Sequence, residues 1–498
     1  MSLISVDKGF FSFGDKVILD GASFNINPGD KIGLVGDNGS GKSTLLKILM
    51  GKIELDDGLV IRSKSLNKIG YIEQDVPKDL ENKTLRQALL DAIPVNERDY
   101  NAWKVETALE DIGAPSGLAD KKISELSGGW RRLALIARAN LSDPDLIIFD
   151  EPTNYLDLEK ILHLENWFRA NLKCPYLMVS HDRQFLDNTT NRTLTLRGGK
   201  IIDHKLSYSE SRKVIIKRDI LDAEKRAANI NEIKRLESVA KRLIIWDRYT
   251  TKAKAIHTRV NRAKENLIEG HKEKTRDINL RQTAIRPNVI LRVKDCDIKT
   301  PDGRQLFRIS DLYVSRGDKI VLLGANGTGK TQCLSALVQA YDSETDASAK
   351  FNPQVNLGYF DQNMDSLPGD KSISEHLSAS TNLDDFGVRG ALIKAGFPFN
   401  ELDKKLSDLS FGERARYFFL LLHNLHKNFF ILDEPTNHLD IDGQEKLESE
   451  LLNNDNTCIF VSHDRRFVQN VASRFIMIEG GRLIEIDSPD IFYNKLLV

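Results

Sequence analysis

The sequence predicts an α/β fold written twice: two homologous modules, each a mainly parallel sheet carrying a phosphate-binding loop, joined by an α-helical hairpin. Three observations carry this. A run of five motifs recurs in the same order. The apolar runs that precede two of those motifs read as buried parallel strands. Between the copies lies a cationic stretch without a counterpart, whose apolar residues follow a helical period.

The repeat is read first, because it decides the architecture. GDKIGLVGDNGSGKST from Gly29 returns as GDKIVLLGANGTGKTQ from Gly317, and GYIEQ from Gly70 as GYFDQ from Gly358. LSGGWRR from Leu126 returns as LSFGERA from Leu409, LIIFDEPTNYLD from Leu146 as FFILDEPTNHLD from Phe429, and VSHDRQF from Val179 as VSHDRRF from Val461. The glycine loops lie 288 residues apart, the acidic pairs 283 and the histidines 282. The expected domains are 1–206, an insert over 207–286 with its tip near 245–251, and 287–498.

Gly36, Asp37, Asn38, Gly39, Ser40, Gly41, Lys42 and Ser43 fit G-x-x-x-x-G-K-[ST], followed by Thr44. KIGLVG before them reads as a strand, and STLLKILMG after them as a helix ended by Gly51. In that context backbone N–H groups and a helix N-terminus face phosphate oxygens. Lys42 would reach the β and γ phosphates of ATP, and Ser43 would ligate Mg²⁺. Gly324, Ala325, Asn326, Gly327, Thr328, Gly329, Lys330 and Thr331 repeat the layout. The strands LIIFDE and FFILDE end in Asp150–Glu151 and Asp433–Glu434. The aspartates are expected to hold Mg²⁺ through its waters, and the glutamates to orient and polarise the attacking water.

Composition narrows the classes. The net charge is −1 and apolar residues make up 41%. No stretch is long and apolar enough to span a bilayer, and the first residues lack a signal-peptide layout, so a soluble, cytoplasmic protein is expected. Four cysteines without a CxxC give neither a disulfide frame nor a zinc site.

These motifs together resemble those of the ATP-binding cassette ATPases, and the resemblance covers both modules. It implies two cassettes, each with a Walker-type core, an antiparallel β subdomain and a helical signature subdomain, paired head to tail within one monomer. ATP site one would combine Gly36–Ser43, Gln74, Asp150, Glu151 and His181, closed by Ser410 and Gly412 of the other module. Site two would combine Gly324–Thr331, Gln362, Asp433, Glu434 and His463, closed by Ser127, Gly128 and Gly129. The resemblance also implies that Gln74 and Gln362 reach the Mg²⁺ and that the histidines act at the γ-phosphate. Phe13 stands where the family stacks adenine; the matching stretch KTPDGRQ has no aromatic. LSFGE departs from the usual signature, and Tyr155 replaces the histidine that His438 keeps. Two competent but unequal sites are expected.

Within that family, the EPTN-x-LD loops and the absence of a membrane domain resemble the ABC-F proteins, whose charged helical linker enters the ribosomal tRNA-exit region. From Leu206 to Ile285 there are 20 Lys and Arg against 11 Asp and Glu. Ile216, Ile220, Ala223, Ala227 and Ile230, then Ile233, Leu236, Ala240 and Leu243, and finally Ile256, Val260, Ala263 and Leu267 form helix stripes of seam type. They read as an antiparallel hairpin whose first helix, of about 35 residues, is about 50 Å long. Trp246–Tyr249, with Thr250 and Thr251, forms the tip. Lys241, Arg242, Arg248, Lys252 and Lys254 are candidates to neutralise phosphates of ribosomal RNA or tRNA, and Trp246 and Tyr249 to stack on bases. A solvated coiled coil whose Trp plugs the hairpin end is the plainer reading. Three rivals remain: the duplicated ATPase subunit of an importer, a DNA-repair cassette ATPase, and a ribosome-protection protein that displaces antibiotics. The importer subunit lacks such an insert. The repair ATPases carry zinc cysteines or far longer coiled coils. The protection proteins often have a longer tip, which favours a general translation factor here.

Overall fold

The structure, a computed structural model, describes residues 2–73, 76–245, 256, 258–261, 280, 288–343, 348–437, 439–453 and 456–497; for 240–245 it describes the backbone alone. Gln74, Trp246, Arg248, Tyr249, Thr250, Thr251, Lys252, Lys254, Ala263, Leu267 and His438 lie outside the described residues, as does most of the stretch expected to form the second half of the hairpin.

Module one contains β1 (Ile4–Phe13), β2 (Lys16–Ile26), β3 (Lys31–Val35), β4 (Asp57–Arg62), β5 (Ile69–Ile72), β6 (Leu146–Asp150), β7 (Tyr176–Val179), β8 (Arg192–Arg197) and β9 (Lys200–His204). Strands β2-β1-β4 form an antiparallel sheet, and β5-β6-β7-β3-β8-β9 a second sheet, parallel except for β9. All five residues of β6 are buried, as a strand covered on both faces requires. Module two repeats the plan with β10 (Val289–Lys299), β11 (Gln305–Ser315), β12 (Lys319–Leu323), β13 (Ala349–Phe351), β14 (Leu357–Phe360), β15 (Phe429–Asp433), β16 (Thr457–Val461), β17 (Arg474–Glu479) and β18 (Arg482–Ile486). Here a single parallel pairing, Arg308 with Arg482, merges the two sheets into one of nine strands. In both modules the phosphate-loop strand is central, flanked by the strand that precedes the histidine and by the first strand of the terminal hairpin.

The modules meet through a reciprocal interface. Leu158 and Leu162 of module one join the hydrophobic core of module two, while Ile441 of module two joins the helical core of module one. Leu158 and Ile441 are equivalent positions of the repeat. Ion pairs cross in the same swapped manner. Arg183, only 2% exposed, donates to Glu448 and, at 3.1 Å, to Asp464. Its counterpart Arg465 donates to both oxygens of Glu165. Each arginine opens a short helix capped by the preceding aspartate, Asp182 or Asp464.

The insert begins as one continuous helix, Tyr208–Ile245, of 38 residues, about 57 Å at 1.5 Å per residue. Its seam differs from the expected one in the first stripe, while Ile233 and Val260 are buried as expected. Ile216, Ile220 and Ile230 are exposed, while Ile215 and Ile233 are buried, as is Val260 on the returning segment. The root turns Ile215 inward because Tyr208 and Ile215 pack on module one, which leaves the first stripe facing outward.

A buried ion pair that loses one partner strands the other charge, at a cost of about 3–5 kcal/mol. Arg183→Ala is therefore expected to lower the calorimetric unfolding temperature clearly, and Arg183→Ala with Glu448→Gln to lower it less. Equal midpoints for R183A and the parent would show that the pair does not hold the interface.

Candidate active sites between the two modules

Each site starts from a loop that only glycine permits. Gly41 and Gly329 have φ of 104° and 97°. A Cβ on Gly41 would lie 2.2 Å from the Ile18 Cγ2, and one on Gly329 2.6 Å from the Leu306 Cδ1. The helices that follow begin at Lys42 and Lys330, so their free N–H groups point into the loop. Lys42 Nζ donates to the carbonyls of Gly36 (2.7 Å) and Asp37 (3.1 Å). Lys330 Nζ donates likewise to Gly324 (2.8 Å) and Ala325 (3.1 Å). Burial pulls both ammonium groups below the usual lysine range, and the nearby carboxylates oppose it.

The acids lie across the loop from the lysines. Burial, reinforced by Glu151, raises the Asp150 carboxyl. Burial pushes Asp433 up to about 6, while the Thr331 hydroxyl beside it pulls the other way; Ser43 plays the same part beside Asp150. Neither oxygen of Asp433 has a well-formed hydrogen bond within the described residues, nor do Glu151 Oε1 and Glu434 Oε1. These buried oxygens, facing a hydroxyl and a lysine, fit Mg²⁺ with its waters, because that ion needs only one or two protein ligands besides phosphate. No cluster of three His, Cys, Asp or Glu suited to a metal occurs among the described residues.

Glu151 and Glu434 share an unusual backbone, with φ of 53° and 50°. A non-glycine residue in this region costs of order 1–3 kcal/mol. The strain is held by Glu151 N–H donating to Val179 O and Glu434 N–H to Val461 O, both at 2.9 Å. The histidine loops grip the carboxylates. His181 N–H donates to Glu151 Oε2 (3.2 Å) and His463 N–H to Glu434 Oε2 (2.9 Å), while each Nε2 lies 3.3 Å from the other oxygen.

Each phosphate loop is touched by the other module. Asn38 N–H donates to Asp440 Oδ2 (3.1 Å), and Asn326 Nδ2 donates to Asp157 Oδ2 (3.2 Å). The signature glycines pack on the same loop as Asp157: a Cβ on Gly128 would lie 3.2 Å from Tyr155 Cβ, and one on Gly129 3.0 Å from Tyr155 O. Signature one and the loop touching site two are thus one packed unit. Ser127 and Ser410 are both exposed at the starts of their helices, Gly128–Leu141 and Phe411–Asn424. They differ in engagement. Ser410 Oγ donates to Glu413 Oε2 (2.9 Å) in a capping box, whereas Ser127 forms no side-chain cap. Gly412 lies in the first turn after Ser410, and Gln362 is exposed just beyond β14. Phe13 is 77% exposed at the β1–β2 turn, where Lys16 Nζ donates to Gly39 O at 2.9 Å and so fixes the turn beside phosphate loop one.

One residue was not anticipated. Arg132, buried in the signature helix, donates to the carbonyls of Glu73 and Asp150, tying that helix to the segment before Gln74 and to the acidic strand. Its equivalent in the second module is the buried Ala415. The doubled RR after the signature was the signal available in the sequence.

With this geometry in hand, comparison with known proteins is direct. The family model for ABC transporter matches residues 19–154 and 307–437. The chain is 32% identical to ATP-binding protein Uup of Buchnera aphidicola (subsp. Schizaphis graminum), over 97% of this chain and 82% of that protein. It is 29% identical to ABC transporter F family member 5 of Arabidopsis thaliana, over 95% and 74%. Its fold matches the archaeal ribosome recycling factor aABCE1, solved in complex with the ribosomal stalk protein aP1, with a TM-score of 0.64 at 19% identity, covering 98% of this chain and 92% of that one. Two matched cassettes on one chain define a tandem ATP-binding cassette ATPase. More narrowly, the chain belongs to the ABC-F family, together with ATP-binding protein Uup. No described helix is long and apolar enough to cross a membrane.

The grip of the histidine loops would hold an isosteric amide much as it holds the carboxylate. Glu151→Gln with Glu434→Gln is expected to retain ATP and to lose about 10²–10⁴-fold in turnover, the usual weight of a general base; phosphate release and nucleotide retention measure the two. Turnover near the parent's would remove the glutamates from that role. Phe13→Ala is expected to weaken nucleotide at one site of the two by about 1–3 kcal/mol, seen as a split in a titration of the E151Q/E434Q protein. Two unshifted sites would show that Phe13 stacks nothing.

Proposed function

We propose that this ATPase binds ribosomes and that ATP binding and hydrolysis place and withdraw its arm, whose tip reaches ribosomal RNA or tRNA near the peptidyl-transferase region. The supporting observation is the arm itself: a continuous 38-residue helix, mostly exposed, that leaves the junction of two ATP-dependent cassettes. It opens a segment with 20 Lys and Arg against 11 Asp and Glu, in a chain whose net charge is −1. Cations in this number suit a phosphate backbone. The cassettes supply the movement. Asp150 and Asp433 hold Mg²⁺ with Ser43 and Thr331; Lys42 and Lys330 neutralise the phosphates; Glu151 and Glu434 orient the attacking water, and His181 and His463 fix those glutamates. Ser410 with Gly412, and Ser127 with Gly128 and Gly129, close the sites from the opposite cassette. The chain acts as a monomer, because its own two cassettes satisfy each other.

A ribosome-associated relative of the same fold supports the reading: aABCE1 is a ribosome recycling factor. Within it, the short tip favours a general translation role over drug displacement.

Lys241, Arg242, Arg248 and Lys252 belong to neither ATP site. Their reversal to Glu, in the E151Q/E434Q protein with ATP, is expected to weaken co-pelleting with ribosomes. It should also reduce the slope of log affinity against log salt by about 0.7–0.9 for each phosphate that is no longer neutralised. Trp246→Ala should weaken binding with the slope kept, since stacking releases no counterion. If the four-charge variant pellets like its parent at every salt concentration, the arm is a spacer, and the importer-subunit alternative gains.

A further inference from the structure

The interface is largely reciprocal between the two cassettes, but Arg212 makes a cross-cassette contact that has no twin among the described residues. Arg212, in the second turn of the arm helix, donates to Asp442 and, at 2.8 Å, to Glu445 of the second cassette. Both carboxylates lie in the first turns of the helix Ile441–Asn453, where negative charge is favoured. The residue before that helix is Asp440, which accepts from the Asn38 backbone in phosphate loop one. Phosphate loop one and the arm thus grip the same short segment of the opposite cassette. The position equivalent to Arg212 in the repeat is Asn494, which carries no charge.

The rest of the arm root is arranged around this contact. Tyr208 and Ile215 are buried, and Arg197 of β8 pairs with Asp219 at 2.6 Å, which seats the root on the first cassette. Arg466, three residues after His463, donates to Asp187 and to Ser209 Oγ, adding a second contact from the other side. The joint is not fully packed. A pocket bounded by Gly36, Thr195, Tyr208, Arg212, Ile215 and Asp442 lies in it, and Tyr208 OH, Thr195 Oγ1 and Arg212 Nε have no hydrogen-bond partner among the described residues. The root is therefore held from two sides, by its packing and ion pair on the first cassette and by charged contacts that depend on where the second cassette stands. Burial alone disfavours the Arg212 charge, and the carboxylates of Glu445 and Asp442 more than offset it.

We infer that Arg212 is a positioning residue: through Asp442 and Glu445 it lets the second cassette, and with it the closure of ATP site one, set the direction of the arm. This rests on the reading of the arm as the working element. It predicts that pulling the second cassette away from phosphate loop one releases the arm in the same movement, because segment 440–445 serves both.

The test is amide hydrogen exchange of the full chain, E151Q/E434Q with Mg-ATP and without ribosomes, followed over residues 213–235. In Arg212→Ala these amides are expected to exchange roughly ten- to hundredfold faster, the range for the loss of one charge-assisted hydrogen bond. The helix 42–49 should keep its ATP-dependent protection. Asp442→Asn with Glu445→Gln should loosen the arm to the same extent, and Arg212→Lys should recover most of the protection. Arm exchange unchanged in R212A overturns the inference. So does an arm loosened by R212A but not by D442N/E445Q, since Arg212 would then act within its own helix. Because no ribosome is present, failure here is separable from failure of ribosome binding, which the pelleting assay reads alone.

Discussion

Two arginines that follow the switch histidines hold this molecule in its functional form. Arg183 buries its charge against Glu448 and Asp464 of the opposite cassette, and Arg465 buries its charge against Glu165. Taking guanidinium groups out of water is costly unless carboxylates meet them, so the cassettes cannot slide by a helical turn without stranding a charge. That register brings Asp440 to Asn38 and Asp157 to Asn326, and it inserts Leu158 and Ile441 into each other's modules. The arginines immediately follow His181–Asp182 and His463–Asp464. The loop that grips Glu151 or Glu434 is therefore the loop that anchors the opposite cassette.

The glutamates add a second constraint. Their left-handed backbone is unfavourable for a residue with a Cβ, and it persists because a strand carbonyl holds the N–H and the histidine loop holds the carboxylate. The result is a carboxylate with one oxygen engaged by a backbone N–H and one lacking a well-formed bond. Preorganisation of this kind places the strain in the protein ahead of the reaction, so little rearrangement remains for the chemical step. The strain recurs at the same place in both modules although their signatures differ. It therefore follows from the strand-end geometry.

Much of the fold was legible because phosphate chemistry is local. A strand, a glycine loop and a helix N-terminus make their case within sixteen residues, and repetition removes the accident. The acidic strands were legible for the same reason: β6 and β15 are buried on both faces, and their sequences are unbroken apolar runs. What could not be read depends on partners far along the chain. Nothing local to Arg183 names Glu448, and nothing local to Arg132 names the carbonyls of Glu73 and Asp150. The stripe through Ile216 and Ile220 had the right period yet faces outward, since periodicity fixes which residues share a face but not what lies opposite.

The two sites were expected to be unequal, and the differences fall into a pattern. Site one has the exposed Phe13 at the turn beside its phosphate loop, the Arg132 tie between signature helix and acidic strand, and the nearby arm root. The signature expected to close it has its serine engaged by Glu413. Site two lacks the aromatic and has Ala415 where Arg132 would be, while Ser127, on the signature expected to close it, forms no side-chain cap. The two cassettes thus differ in the ties around their phosphate loops and in the capping of their signature serines. The segment that contacts phosphate loop one also grips the arm root, so the asymmetry of the two cassettes and the anchoring of the arm meet at one place.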